Sequence, residues 1–294
     1  MKACALRSAI ATLLLLAVPA QAAPLRVVTL STVLTEIATA VGGDAVAVTA
    51  LVRPGVDPHT FEPAPADLRA MADADLVLGA GFGLEPYLDR LSASAGARGR
   101  VAEVGDALKS SALYLDEGGR READPHWWNS VFATMAITRR VTTEILRLRP
   151  GDRFAIAARS DAYLARLEEL QLWVHAEVNQ LPPGRRLLVT THDAFGWFAR
   201  DYDFTVRSIS GVAPDAEPNA RDFALLIDWV RLQHVPAIFV ESSANSRLVN
   251  ALVAATGVRR GGELYPDGLA PDGEGATYAG MVRHNVRTLV EALR

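Results

Sequence analysis

Short apolar segments of strand character alternate with helical ones along almost the whole chain, and this alternation limits the possible folds more than any other feature. Leu25–Leu30, Val46–Val52, Asp75–Gly79 and Arg100–Val104 read as buried strands. Helical patterning over Thr32–Val41, Pro65–Ala74 and Leu84–Ala95 lies between them. The second half repeats the scheme, with strands expected at Arg186–Thr191, Phe204–Ser208, Ala237–Glu241 and Gly262–Leu264. Strands separated by helices pair in parallel, because a helix crossover returns the chain to the same end of the sheet. The expected class is α/β, with mostly parallel sheets covered by helices on both faces.

One stretch departs from the alternation. Between Gly151 and Pro182-Pro183 there is neither Gly nor Pro, and Ile156, Tyr163, Leu167, Leu170, Val174 and Val178 recur at helical spacing on one face. A helix of about thirty residues spans roughly 45 Å, longer than one small lobe needs. The spacing therefore predicts two (βα)-type lobes, residues 23–149 and 183–294, joined by one long rigid helix over 150–182. A faint internal echo fits two similar lobes: Gly55-Val56-Asp57-Pro58 leads to Glu62-Pro63, and Gly211-Val212-Ala213-Pro214 leads to Glu217-Pro218.

Residues 1–22 stand outside the fold. Lys2 and Arg7 precede an apolar run from Ala9 to Ala20, and Ala20-Gln21-Ala22 is a small-x-small cleavage site, so a secretory signal peptide is expected. No later segment reaches the ~20 apolar residues that a membrane span requires. The single cysteine, Cys4, lies ahead of the apolar run and not just after it, where a lipid-anchored protein would carry one. The mature chain would then be exported to a periplasm without lipid anchor, disulfide or thiolate ligand. With 28 basic and 34 acidic residues left, its formal charge is −6, which offers nothing to nucleic acid.

With cysteine gone, any metal must be held by imidazole and carboxylate. Of six histidines, three lie where a strand or loop enters a helix, the ends at which open α/β sheets place ligands. His59 follows a strand in Asp57-Pro58-His59-Thr60-Phe61-Glu62, His126 stands in Asp124-Pro125-His126-Trp127-Trp128, and His192 directly follows Leu187-Leu188-Val189 in Thr191-His192-Asp193. His175 is a packed or solvated residue of the long helix. His234 suits a helix C-terminus, where a partly protonated imidazole meets the negative dipole end, and His284 suits a structural hydrogen bond. Asp267, in Tyr265-Pro266-Asp267-Gly268, is the candidate fourth ligand; Asp272, in a Pro-Asp-Gly turn, is the alternative. The intervals between these residues match no local metal motif.

Six segments in order give the chain a specific resemblance: Val56-Asp-Pro-His59-Thr-Phe-Glu62-Pro, Leu84-Glu85-Pro-Tyr-Leu-Asp-Arg-Leu91, Asp124-Pro-His126-Trp-Trp128, Thr191-His192-Asp-Ala-Phe195-Gly-Trp-Phe198, Ile238-Phe-Val-Glu241-Ser and Leu264-Tyr-Pro-Asp267. The mature chain resembles the solute-binding proteins of zinc/manganese ABC importers, a family with two α/β lobes joined by one long helix. The resemblance implies that His59 and His126 from the first lobe, and His192 and Asp267 from the second, hold a divalent ion in the cleft. It also implies delivery to a membrane permease and no enzymatic activity.

Family members that favour Mn²⁺ or Fe²⁺ typically carry Glu where His192 stands. Three imidazoles with one carboxylate suit Zn²⁺, so zinc is expected and a Mn²⁺- or Fe²⁺-binding protein of the same importer class is the alternative. Zinc-type relatives often insert a His-rich loop before the second ligand, whereas Lys109–Ala123 has no His and reads as a solvated loop. Loading by a separate periplasmic zinc chaperone would fit that difference. Glu62 and Glu241 are candidate partners for the imidazoles; Trp127, Trp128, Phe195 and Trp197 either keep the cleft dry or form core. A monomer is expected. Two other classes are weighed: a zinc hydrolase using Asp267 or Glu241 as base, and a carrier of a metal chelate or haem.

Overall fold

The first strand, β1 (Leu25–Thr29), lies mid-sheet between two parallel neighbours, β2 (Val46–Ala50) and β3 (Leu76–Gly79), with β4 (Arg100–Glu103) beyond β3. This order comes from a computed structural model that describes residues 23–97, 99–117, 120–212, 219–242 and 246–294. The expected signal peptide and the Ala213–Pro218 part of the echo lie outside those residues.

Helices α1 (Thr32–Gly42), α2 (Pro65–Asp73) and α3 (Leu88–Ala95) make the crossovers of this sheet. The start of α1 is set by Ser31, whose hydroxyl accepts the Leu34 N–H, and its end by Gly43 in the left-handed region. The sequence pattern placed α3 from Leu84, but it begins at Leu88. Pro86 disfavours helical geometry at Glu85, whose buried carboxylate instead accepts the backbone N–H groups of Ala80 and Gly81. Nor is Lys109–Ala123 simply a solvated loop. A 3-10 turn runs to Ser111, and β5 (Tyr114–Glu117) pairs antiparallel with β6 (Arg120–Ala123).

After α4 (Val131–Leu148) comes the long helix α5 (Arg153–Val178), 26 residues and therefore about 39 Å. Every residue predicted for its apolar face is buried. It packs on α1 and α4 of the first half and on the C-terminal helix α9 (Tyr278–Leu293) of the second. The Arg159 guanidinium donates to the Val41 and Gly42 carbonyls, closing the C-terminus of α1, while Gln171 accepts from the Tyr202 hydroxyl in the other lobe.

The second lobe repeats the strand order of the first. Here β7 (Leu187–Thr190) pairs in parallel with β8 (Thr205–Ser208), and β9 (Ala237–Glu241) with β10 (Arg259–Leu264). The two pairs are separate two-stranded sheets that lie side by side through β7 and β9, so that their strands line up as β8-β7-β9-β10, a counterpart of β2-β1-β3-β4. Helices α6 (Gly196–Tyr202), α7 (Ala220–Leu232) and α8 (Ser246–Thr256) cross between them. The register of β10 shifts between Arg260 and Glu263, at Gly261-Gly262, so this strand is longer than its apolar portion indicated.

Strand alternation sorts the core into three layers. Val27, Leu76 and Leu78 of the first sheet and Leu188, Ala237 and Phe239 of the second join one continuous core around α5 and α9. Their neighbours Val28 and Val77 face an outer core under α2 and α3, and Val189 and Ile238 face another under α7 and α8. Each fully buried Leu or Val contributes about 1.5–3 kcal/mol, so the shared layer ties the lobes together. No helix among the described residues is long and apolar enough to cross a membrane.

Candidate metal centre

Three of the four candidate ligands stand two or three residues beyond a strand and His59 nine residues beyond one, each on a segment shaped by its own neighbours. His59 sits in the loop after β2, where Asp57 accepts the His59 backbone N–H at 2.8 Å and the Thr60 hydroxyl at 3.1 Å. Such a turn is what an Asp two residues upstream favours. His126 follows β6, and Asp124 accepts both its backbone N–H (2.9 Å) and its Nδ1–H (2.8 Å).

His192 leaves the end of β7 beside Glu241, the last residue of β9. The Glu241 carboxylate accepts His192 Nδ1–H at 2.5 Å and its backbone N–H at 3.2 Å. Asp267 follows β10 on a segment clamped from both sides. Asn285 bonds both backbone groups of Tyr265, Trp128 Nε1 donates to the Pro266 carbonyl at 2.6 Å, and the Thr32 hydroxyl accepts the Leu269 N–H at 2.9 Å. Gly268, at φ 153°, passes so close to Thr32 that a Cβ there would stand 2.4 Å from its Oγ1, which leaves room for glycine only.

These segments bring four donor atoms to one point. His59 Nε2 lies 3.0 Å from His126 Nε2, and Asp267 Oδ1 lies 3.1, 3.6 and 3.7 Å from the Nε2 atoms of His192, His59 and His126. All four fall within 4.8 Å of one another. A tetrahedron with metal–ligand bonds of ~2.0–2.1 Å has edges of about 3.3 Å, so the cluster has the size of one coordination sphere. His126 and His192 are fully buried; His59 and Asp267 form the outer side. A cavity of about 310 Å³ opens beside Asp267, bordered by Gly55, Val56, Tyr265 and Asp272.

The hydrogen bonds also assign the protons. Since Nδ1–H of His126 is given to Asp124, its Nε2 lone pair faces the cluster, and burial pushes this imidazole below its ordinary pKa despite the carboxylate. His192 behaves oppositely. Burial opposes its charge, but Asp267 and Glu241 on either side raise it well above the ordinary histidine range. Burial likewise opposes charge on Asp267, yet His192 and the other imidazoles hold it well below the usual carboxylate range. His192 Nε2 and Asp267 Oδ1 lie 3.1 Å apart, each favouring the charge opposite to the other's.

The four candidate ligands are therefore brought together, whereas Asp272 lines the neighbouring cavity and stays outside the cluster. Glu241 meets an imidazole. Glu62 is exposed, and no described hydrogen bond joins it to the cluster. Asp124 and Asp57 fill the supporting places in the first lobe, and sequence reasoning missed both. The signal was the Asp-Pro-His triplet present at each site, which sets a carboxylate two residues before the imidazole. Trp128 lies edge-on to His126 at 5.5 Å, while Trp127, Phe195 and Trp197 belong to the core. Of the other histidines, His175 stands edge-on to Tyr202, His234 adopts positive φ after α7, and His284 bonds the Glu263 carbonyl.

The chain is similar to several known metal-binding proteins. Zinc-binding protein TroA of Treponema pallidum (strain Nichols) is 35% identical over 277 residues, covering 92% of this chain and 89% of that one. The manganese-binding lipoprotein MntA of Bacillus subtilis (strain 168) is 32% identical over 260 residues, covering 86% and 85%. The solved structure of the periplasmic zinc binding protein TroA from Treponema pallidum superposes with a TM-score of 0.85 at 34% identity, over 92% of this chain and 99% of that one. The family model of ZnuA, zinc-uptake complex component A, periplasmic, matches residues 27–292. With that match spanning both lobes and the cluster between them, the chain belongs to the ZnuA family, the metal-binding solute-binding proteins of ABC transporters.

Proposed function

We propose that this protein captures Zn²⁺ between its lobes, residues 23–149 and 183–294, and hands it to the membrane permease of an ABC importer. The observation that carries this reading is the convergence of three Nε2 atoms and one carboxylate oxygen within 4.8 Å. Two of the imidazoles are fixed through Nδ1 by Asp124 and Glu241. A three-nitrogen, one-oxygen set suits a borderline ion of tetrahedral preference, whereas Mn²⁺ favours more oxygen ligands. Four protein ligands close the tetrahedron and leave no place for an activated water, which separates the site from a hydrolase. The likeness to a manganese-binding lipoprotein at 32% identity supports Mn²⁺ as the second reading.

The cargo enters and leaves beside Asp267, where the cavity reaches the cluster. The lobes share one core across α5, so release comes from the loops around Asp267 and His126 and not from a wide hinge. Export by the residue 1–22 signal, a free periplasmic monomer and loading by a zinc chaperone complete the reading. Elemental analysis of protein purified without chelator, with melting curves in Zn²⁺ and Mn²⁺, tests it. One zinc per chain and a zinc-dependent rise in melting temperature are expected. A rise with Mn²⁺ alone would transfer the assignment to manganese, and none with either would end it.

A further inference from the structure

Three residues beyond His126, the side chain of Asn129 is buried, and its amide nitrogen donates two hydrogen bonds. One, at 2.9 Å, goes to the carbonyl of Ala194, two residues after His192; the other, at 3.0 Å, goes to the carbonyl of Pro266, the residue before Asp267. A single NH₂ group from the first lobe thus spans the two ligand-bearing segments of the second. Both carbonyls are buried with it, and an amide nitrogen carries two donors, one for each. A hydrophobic residue at this position would leave the Ala194 carbonyl without that donor and the Pro266 carbonyl with Trp128 Nε1 alone, and a carboxylate would repel both.

We infer that Asn129 is a positioning residue that sets the spacing of the cluster, and thereby its preference for a four-coordinate ion, by holding the His192 and Asp267 segments at one distance from His126. The inference rests on the zinc-binding reading above. No described hydrogen bond joins Asn129 to the four ligand atoms, so it acts through the two backbones it joins. Relaxing that spacing penalises a tetrahedral ion most, because every edge of its small coordination sphere is defined by protein atoms. An ion that completes its sphere with water tolerates the change.

The test compares the wild-type chain with Asn129→Asp, which keeps the shape but removes the donors, and Asn129→Leu, which removes all polar function. Thr142→Val serves as a control, breaking a buried hydroxyl contact with Ser160 between α4 and α5, far from the site. Cobalt(II) is the probe, since four-coordinate cobalt gives intense visible bands and higher coordination gives weak ones. Both Asn129 variants are expected to lose most of that intensity and about 10–100-fold in zinc affinity, with manganese affinity changed less than about threefold. Thr142→Val should keep the wild-type spectrum. If the wild-type chain binds neither cobalt nor zinc, the functional reading itself fails. If it binds and the Asn129 variants match it in spectrum and affinity, the positioning role alone is overturned. Should neither variant fold, hydrogen exchange of the Asn129 NH₂ in the wild-type chain decides. Exchange slower than at surface amides, and slower still with zinc, supports the role; exchange as fast as at surface amides refutes it.

Discussion

Replacing Glu241 by Gln probes how the protein prepares an imidazole for a metal. The carboxylate is 1% exposed and accepts His192 Nδ1–H at 2.5 Å, a charge-assisted contact in a dry setting where such bonds are strongest. Gln fits the same space and can still accept through its carbonyl oxygen, but the negative charge that makes Nε2 a better donor to metal is gone. A hydrogen bond to a charged group contributes about 1.5–3 kcal/mol, and removing a partner of a metal-bound histidine typically costs about 10–100-fold in affinity. These two ranges agree. Isothermal titration with a competing chelator should therefore show zinc affinity reduced by about 10–100-fold. In melting experiments a chain of this length shifts by roughly 2–4 °C per kcal/mol, so at fixed excess zinc the metal-induced rise should shrink by roughly 3–10 °C. An affinity within threefold of wild type, together with an unchanged zinc-induced rise, would refute the argument that Glu241 tunes His192.

Three further outcomes follow from the same geometry. Purified His192→Ala should carry no zinc by elemental analysis, because the three remaining ligands leave Asp267 without its nearest imidazole; full occupancy would remove His192 from the site. Glu62→Gln should bind zinc within about threefold of wild type, as an exposed group outside the cluster makes little difference, and a tenfold loss by titration would contradict its placement. Burial pushes the Glu85 carboxyl up to about 7, against the opposing N–H bonds of Ala80 and Gly81. A raised folded-state pKa means that this group's contribution is complete below the unfolded carboxylate range and is lost as pH rises towards 7. The urea midpoint of apo protein should accordingly fall relative to Glu85→Gln between pH 5 and 7.5, and a midpoint difference independent of pH would contradict it.

Much of the site was legible because ligands in α/β folds stand at strand ends, and strand ends are marked by apolar runs that stop. His59, His126 and His192 were separable from His175, His234 and His284 by that rule alone. Asp267 was distinguishable from Asp272 only by its place directly after a strand. Partners were harder to read. Glu241 came through because it ends a strand, but Asp124 did not, although it lies two residues from His126. The Asp-Pro-His spacing hinted at it, but the bond to Nδ1 depends on a ring orientation that only the fold sets. Glu62 looked equivalent to Glu241 on paper, yet its loop turns the carboxylate to solvent. The hairpin from Tyr114 to Ala123 was missed because two four-residue strands rich in charge carry almost no apolar alternation, and only their pairing defines them.

Local chemistry, read along the chain, determined the class of the fold, the long helix and the identity of the candidate ligands. Each of these depends on periodicity or on residue type, which neighbours in sequence suffice to express. Convergence was decided in three dimensions. The two lobes repeat one strand order and share one core, and that packing alone brings residues from four separate loops within 4.8 Å. The same packing sets Asn129 between two carbonyls and Glu241 against an imidazole, since contacts between residues dozens of positions apart exist only once the lobes have closed on their common helix.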